Sequence, residues 1–558
     1  MKKKPVETEP ITNEIFFRPF DKEILNTFAR QNIIDLCVGT QELFLQATKL
    51  LEGERQTLLE VNQRHARLVA LMFGSIKKEP KVNIGDKVPK EKKKAERISG
   101  TLTERYPNLE VKTTVMPHDA NLSCPCCKGK MHSTGMTERS EILRVKPKVY
   151  YIEIILREKL ACNKCYSSIV TAPLPPKIIP GSIYGNDVLI DLAVSKFYEL
   201  IPIGRLARIS KMAGFAFPAN SMIECTHFLA SFLEIVYDMC REEILRTKDL
   251  RADESPHKML EGDEKMRWYL WLFMSKETAY YEAHNTRSGD VCSKLLIESQ
   301  CETLMSDVFS GYAKSVKAIN KVRVESGRPL LENPNCNSHS QRKFKACKAN
   351  FTEENEFYCG QYKEIFILEN QARKEVEGKE ILKIRSKMYP YFEAIKEKCY
   401  THKDSCSTKS DLGIAVNYFL NNYEAFTLFL TNPNIDIDNN AAERGFKSPA
   451  IGRKTWYGTH SIRGALTTVI MYTLFESCKL NGTNPREYMQ AIVDSLLKYK
   501  GKDWRKEKDF DPKNPSKEWR EAYEARKKFA FTPKSYKEMM VSKAPPHPHV
   551  ENCSSSTG

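Results

Sequence analysis

The sequence has no run approaching the ~20 apolar residues that cross a bilayer; the apolar stretch Val149-Tyr150-Tyr151-Ile152, for one, ends at Glu153. No transmembrane helix is expected, and no membrane partner. The basic opening Met1-Lys2-Lys3-Lys4 is followed by Pro5-Val6-Glu7 and not by the apolar core of a signal peptide, so the protein is expected in the cytoplasm. Internal repeats are absent, which excludes a solenoid or propeller. The 17 cysteines are odd in number and thinly scattered, unlike a disulfide framework and in keeping with reduced thiols. Acidic residues are the scarcer charge, 71 against 87 Lys and Arg, for a net charge of +16. That excess points to a polyanionic partner, nucleic acid first, although it also fits a surface kept soluble by charge.

What is there is long and mixed. At roughly 100 to 200 residues per domain, 558 residues predict three to five folding units. Apolar residues at 41%, charged residues at 28% and a mean hydropathy of −0.49 describe globular domains and not a disordered chain. From Asp21 to Gly74 a helix is expected. A seven-residue frame aligns Phe44, Leu51 and Leu58 beside Ala47, Val61 and Leu68, with Glu54 and His65 interrupting. The pattern fits a short self-associating coiled coil and equally a helix packed on its own domain. Residues 77–100 carry nine Lys/Arg against four Asp/Glu with Pro80 and Pro89, the composition of a solvated linker.

Past Pro180, helices are predicted over Asp187–Leu200, Ile203–Ala213 and Ser221–Thr247, broken at Pro202. Such short helices suit a helix-turn-helix or any small bundle. Arg267–Met274, Thr278–His284 and Thr303–Asp307 are short, aromatic and aliphatic, and read as strands. A helical stretch Phe351–Lys398 follows, then helices through Leu430 and over Ile462–Leu480, and from Lys500 a charged, proline-rich tail. The expected organisation is an N-terminal helical region (1–76), the basic linker (77–100), a zinc-ribbon-like domain (101–175), a helical region (176–249), a mixed α/β domain with a helical insertion near 320–430 (250–460), a C-terminal helical segment (461–500) and the charged tail (501–558).

Cys124-Pro125-Cys126-Cys127 and Cys162-Asn163-Lys164-Cys165 each place two thiolates three positions apart. A tight turn with that spacing offers both sulfurs to one tetrahedral zinc. Chance gives roughly half of one such pair at this cysteine frequency, so two close together are informative. Leu143–Arg157, between them, alternates like a strand. Cys124, Cys127, Cys162 and Cys165 are therefore the candidate ligands of a structural Zn2+, with Cys126 as a spare. All four positions would be filled by protein, which describes a folding element and not a catalytic metal.

Three acidic blocks carry a resemblance. Arg251-Ala252-Asp253-Glu254-Ser255-Pro256 precedes the aromatic run Trp268-Tyr269-Leu270-Trp271; Met305-Ser306-Asp307-Val308-Phe309-Ser310-Gly311-Tyr312 is the second; Ile435-Asp436-Ile437-Asp438-Asn439-Asn440-Ala441-Ala442-Glu443-Arg444, running on to Gly452-Arg453-Lys454-Thr455-Trp456, is the third. In this order they resemble the insertion sequence 66 family of bacterial transposases. Leu71-Met72-Phe73-Gly74-Ser75, the cysteine pairs, Val194-Ser195-Lys196-Phe197 and Lys479-Leu480-Asn481-Gly482 extend the likeness over roughly residues 20 to 500. Asn337-Ser338-His339-Ser340 departs from that family's tryptophan-alanine-histidine-alanine block, and Lys447 stands where arginine is common.

The resemblance implies a multidomain α+β protein: a ribonuclease-H-like α/β catalytic core with a helical insertion, preceded by an N-terminal helix, a zinc ribbon and a helical DNA-binding region. It implies a DDE-type enzyme, in which Asp253, Asp307 and Glu443 are the catalytic acids and hold two Mg2+ (or Mn2+) ions for phosphodiester hydrolysis and strand transfer. It further implies that Arg444, Lys447, Arg453 and Lys454 contact DNA phosphates, that the partners are element terminal inverted repeats and target DNA, and that the protein assembles as a homo-oligomer in the bacterial nucleoid, with accessory proteins of the same element as further partners. The 135 residues between Asp307 and Glu443 exceed what such a core needs, hence the insertion. Taken singly, each acid has an ordinary alternative as a turn or helix-start residue. Glu254, next to Asp253, should point to the opposite face of a strand. The alternative from another class is a catalytically inactive DNA-binding regulator derived from a transposase.

Overall fold

The computed structural model describes residues 101–105, 111, 113, 149–161, 169–260, 267–501 and 516–543. The predicted N-terminal helix, the basic linker and Cys124, Cys126, Cys127, Cys162 and Cys165 lie outside the described residues. The chain divides into two units, one of Met1–Lys78 and Tyr237–Pro449, the other of Glu79–Val236 and Ala450–Gly558. No helix among the described residues is long and apolar enough to cross a membrane, and no disulfide joins the described cysteines.

In the second unit, strands β1 (Lys159–Ala161) and β2 (Ile169–Thr171) pair antiparallel, with Ala161 opposite Ile169. The strand predicted over Leu143–Arg157 is not found where that segment is described. Residues 149–157 lie outside any strand, and Ile152 and Leu156 are both 91% exposed. Alternation supplies a face for packing but no partner strand, and β1 takes up pairing only at Lys159.

Helices α1 (Asn186–Ala193), α2 (Ile203–Met212) and α3 (Ala219–Arg246) fall within a few residues of the three predicted helices, with the break at Pro202. A π-turn, Val194–Tyr198, continues α1. The later helices of six residues or more are α4 (Asp290–Leu296), α5 (Ser310–Glu325), α6 (Asn337–Ala346), α7 (Thr352–Ala372), α8 (Gly378–Arg385), α9 (Tyr389–Lys403), α10 (Asp411–Leu420), α11 (Asn440–Gly445), α12 (Lys447–Trp456), α13 (Ile462–Leu480), α14 (Pro485–Leu496), α15 (Lys517–Lys527) and α16 (Pro533–Lys543). In the second unit α13 is buried all round from Thr467 to Cys478, the signature of a central helix. It ends at Gly482, whose φ of 63° is a left-handed backbone open to glycine without strain. The charged segment past Lys500 is not merely a tail. The Ser516 hydroxyl accepts from the Trp519 N–H to cap α15, Arg526 donates to the Phe232 carbonyl at 2.8 Å, and Tyr488 donates to the Phe531 carbonyl at 3.0 Å. Its polar side chains face outward while a few anchors tie it to the unit.

The first unit is built on a four-stranded sheet in the order β5-β4-β3-β6, with β3 Asp249–Lys258, β4 Arg267–Met274, β5 Ala279–His284 and β6 Thr303–Met305. β3, β4 and β5 form an antiparallel meander, whereas β6 runs parallel to β3. The segment 332–336 runs on beside β6 through parallel bridges Thr303 to Glu332 and Ser306 to Asn335, a rudimentary fifth strand. β4 is apolar on both faces because both are covered. On one face the Tyr237 ring of α3 lies 4.9 Å from that of Tyr280, and Trp271 meets Tyr312 of α5 edge-on at 5.8 Å. On the other, the Tyr281 hydroxyl donates to the Gly445 carbonyl of α11 at 2.7 Å.

Between α5 and α11 the chain forms a helical subdomain with its own aromatic core, where Phe344 stacks on Tyr358 at 4.0 Å and packs against Phe419. The single helical stretch predicted over Phe351–Lys398 is three helices, because Gly378 opens α8 and Pro390 opens the first turn of α9. Arg385 and Glu369 pair through two bonds of 2.7 and 2.9 Å, both side chains buried. Arg385 also donates to the Phe429 and Asn432 carbonyls, anchoring the chain that leads to α11.

Candidate active site

Asp253 lies within β3, paired across to Leu272 of β4. Asp307 lies two residues beyond Met305, which pairs with Arg251. Asp253 likewise stands two residues past Arg251 on β3, so both acids follow the same paired position, Asp307 in the loop beyond the end of β6. Asp307 immediately precedes α5, and the Phe309 N–H donates to its carboxylate.

Glu443 arrives from α11 onto the face that carries Asp253 and Leu272. A Cβ built on Gly445 would stand 2.6 Å from Leu272 Cδ2, so the absence of a side chain there lets this short helix lie directly on the sheet. Asn439, buried, donates from Nδ2 to the Ala252 carbonyl at 2.8 Å. The third block is thereby fastened to the residue just before Asp253. The two other acids of that block are committed elsewhere. Asp436 pairs with Arg251; Asp438 accepts from the Asn440 N–H at 3.1 Å and lies 3.9 Å from Arg373. Glu443 Oε1 is held by Arg342 at 2.5 Å and faces His339 Nε2 at 3.6 Å.

The three acids act on one another through their charges. Burial raises Asp253 to about 8, and the charges of Glu254, Asp307 and Glu443 add to the rise. Asp307 is raised by burial, with Glu443 adding and Arg287 and the Phe309 N–H opposing. Its Oδ1 is buried without a hydrogen-bond partner, a costly state for a carboxylate oxygen. Glu254 turns to the other face, as strand alternation predicts. Its carboxylate accepts from Tyr312 at 2.6 Å and from Arg287 at 2.5 and 2.8 Å, and Arg287 in turn covers the Phe309 ring at 4.2 Å. Glu254 thus stiffens the floor of the site and stays out of the cluster.

Of the predicted phosphate contacts, Arg444 and Lys447 are exposed in the first unit, and Lys454 is exposed in the second. Arg453 is half-buried. The roles of Arg287, Tyr312, Arg342 and Asn439 were not legible from spacing, since each depends on a partner far away in the chain. Cys336 and His339, three apart, were the detectable signal: their ligating atoms and that of Glu443 lie within 4.8 Å of one another.

With this geometry established, the chain was compared with known proteins. The model of the Transposase IS66 family matches residues 181–467, just over half of the chain. The chain belongs to the IS66 transposase family. The zinc-finger binding domain of transposase IS66 matches residues 121–166, a span containing Cys124, Cys127, Cys162 and Cys165. Among curated relatives from Sinorhizobium fredii (strain NBRC 101917 / NGR234), the uncharacterized protein y4hP is 24% identical over 394 residues, 66% of this chain and 70% of the relative. The uncharacterized protein y4jD is 23% identical over 411 residues, 72% of this chain and 79% of its own length. The uncharacterized protein y4qI is 25% identical over 374 residues, 64% and 68% respectively. Membership in this family implies a transposase that binds DNA and a zinc-finger domain that holds structural zinc.

Proposed function

We propose that this IS66-family protein cuts and joins DNA at the ends of its own mobile element, through a DDE-type site made of Asp253, Asp307 and Glu443. What supports the reading is that Asp253 lies in β3, that Asp307 follows two residues after the end of β6, the strand parallel to β3, and that α11, which carries Glu443, packs through Gly445 on Leu272, the partner of Asp253. The strand order, an antiparallel meander followed by parallel strands beside its first member, supports a ribonuclease-H-like core. The donor types suit a divalent cation, which would have to draw the three carboxylates closer together, since the cluster whose ligating atoms already lie within 4.8 Å of one another is Cys336, His339 and Glu443. Asp253 and Asp307 are largely withdrawn from water with Glu443 adding its charge, one buried Asp307 oxygen has no partner, and hard oxygen donors suit magnesium or manganese. Asp253, Asp307 and Glu443 would hold the two ions, which when bound supply charge stabilisation at the attacked phosphate and at both the entering and leaving oxygens.

The remaining work belongs to the protein. Arg342 holds the Glu443 carboxylate, and Arg287 with Tyr312 fixes β3 beneath Asp253 through Glu254. Arg444, Lys447, Arg453 and Lys454 position backbone phosphates without reading bases. The helices α1 to α3 form the DNA-binding region, and Cys124, Cys127, Cys162 and Cys165 close a structural zinc site, the latter pair set between the paired ends of β1 and β2. Synapsis of two element ends calls for a homo-oligomer acting on terminal repeats and target DNA in the nucleoid.

The test is Mg2+-dependent nicking of DNA bearing the element's terminal repeats. Asp253→Ala should abolish nicking and retain end binding. A parent protein that binds the ends and never cuts would make it a regulator instead, and cut ends that are never joined to a second DNA would make it a simple nuclease.

A further inference from the structure

Cys336 stands at the point where the rudimentary fifth strand turns into α6. Its N–H donates to the Ser306 carbonyl at 3.0 Å, which ties it to β6 one residue before Asp307. The side chain is completely buried, and its sulfur accepts from the Asn439 N–H at 3.2 Å, with the N–H groups of Ser338 and His339 also directed at it. Three N–H donors are directed at this one sulfur, but burial outweighs them and pushes the thiol up to about 11, so an ion bound here takes the place of the thiol proton. His339, one turn along, is kept neutral by burial and by Arg342. One of its ring nitrogens faces Glu443 Oε1 at 3.6 Å, and the other, Nδ1, is buried with no hydrogen-bond partner. Glu443 is fixed beside it by Arg342.

From this cluster we infer a third kind of metal site in the protein: Cys336, His339 and Glu443 bind a thiophilic divalent ion of the zinc class. One sulfur, one nitrogen and one oxygen donor select zinc or cobalt over magnesium, which takes oxygen ligands only. Three protein ligands leave one coordination position open, unlike the closed four-cysteine site proposed for the zinc-finger domain. The spacing of the donor atoms, all within 4.8 Å of one another, requires only a small contraction around an ion with bonds of about 2.0 to 2.3 Å. The site stands on this geometry alone. Its consequence rests on the catalytic reading above: an ion held here occupies the Glu443 carboxylate and withdraws it from Asp253 and Asp307, so zinc would oppose magnesium.

The experiment uses the full chain with its zinc-finger site already filled with zinc, in excess Mg2+, titrated with Co2+. We expect one further equivalent of metal, accompanied by a thiolate-to-cobalt charge-transfer band, with the original zinc retained on elemental analysis. Cys336→Ser should abolish the band, and His339→Ala should weaken Co2+ binding by 10-fold or more, at the scale of lost ligand support. Because Cys336 is buried and its replacement can disturb folding, the half-exposed His339 variant decides if Cys336→Ser is misfolded by circular dichroism. Absence of a cobalt–thiolate band in the parent, or unchanged affinity in folded His339→Ala, overturns the site. The catalytic reading fails separately, if Glu443→Gln still nicks DNA in Mg2+ without Co2+ or added Zn2+.

Discussion

Replacing Asp253 by Asn should make the metal-free protein more stable while removing its response to magnesium. The Asp253 carboxyl is raised from its usual 3.8 to about 8 by burial and by the charges of Glu254, Asp307 and Glu443. The folded state therefore keeps a proton between roughly pH 4 and 8 that the unfolded chain has already lost. The sign follows directly: this acid's contribution is intact below its usual value and is lost as pH rises toward 8. At pH 7 the loss is of the order of 4 kcal/mol, and Asn, neutral at every pH, is spared it. Urea unfolding in chelator, followed through the fully buried Trp271, should show Asp253→Asn ahead of the parent at pH 8, with the gap shrinking toward pH 5. Added Mg2+ should raise the parent's midpoint, more so at higher pH as proton and metal compete, and leave the variant unchanged. Parallel pH curves for the two proteins, or equal stabilisation of both by Mg2+, would refute the reasoning.

Gly445→Val should lift α11 from β4, because the added Cβ falls 2.6 Å from Leu272 Cδ2; a cost of about 1–3 kcal/mol in thermal unfolding and loss of nicking with end binding retained are expected. Arg385→Ala leaves the buried Glu369 carboxylate only the Arg373 contact at 3.3 Å and releases the Phe429 and Asn432 carbonyls, so urea unfolding should register a loss of about 3 kcal/mol, part of which Glu369→Leu in the same chain restores. A strong zinc chelator should expose the segment 121–166, matched by the zinc-finger model, to limited proteolysis while the Trp271 unfolding transition stays in place.

The strands and long helices were legible because their signals are local. Arg267–Met274 is apolar at nearly every position and is found as β4 with those bounds, and Ile462–Leu480 is likewise found as α13. Helix breaks were less legible: Gly378 and Pro390 interrupt a periodic stretch that otherwise reads as continuous. The site was half legible. Three acidic blocks can be read in a row, but composition does not tell Glu443 from Asp436 and Asp438, and only the fold shows those two engaged by Arg251 and Arg373. The groups that hold the trio in place act over long separations, 187 residues from Asn439 to Ala252 and 101 from Arg342 to Glu443. No periodicity records such contacts.

The central claim is that three acids from separate parts of the chain form one divalent-ion site that cuts and joins DNA. Its most direct test is transfer of labelled element ends into a second DNA in Mg2+ by the parent and by Asp253→Asn, Asp307→Asn and Glu443→Gln. The account predicts joined product from the parent alone, with all four proteins binding the ends equally. Joining at the parental rate by any one of the three variants would contradict it.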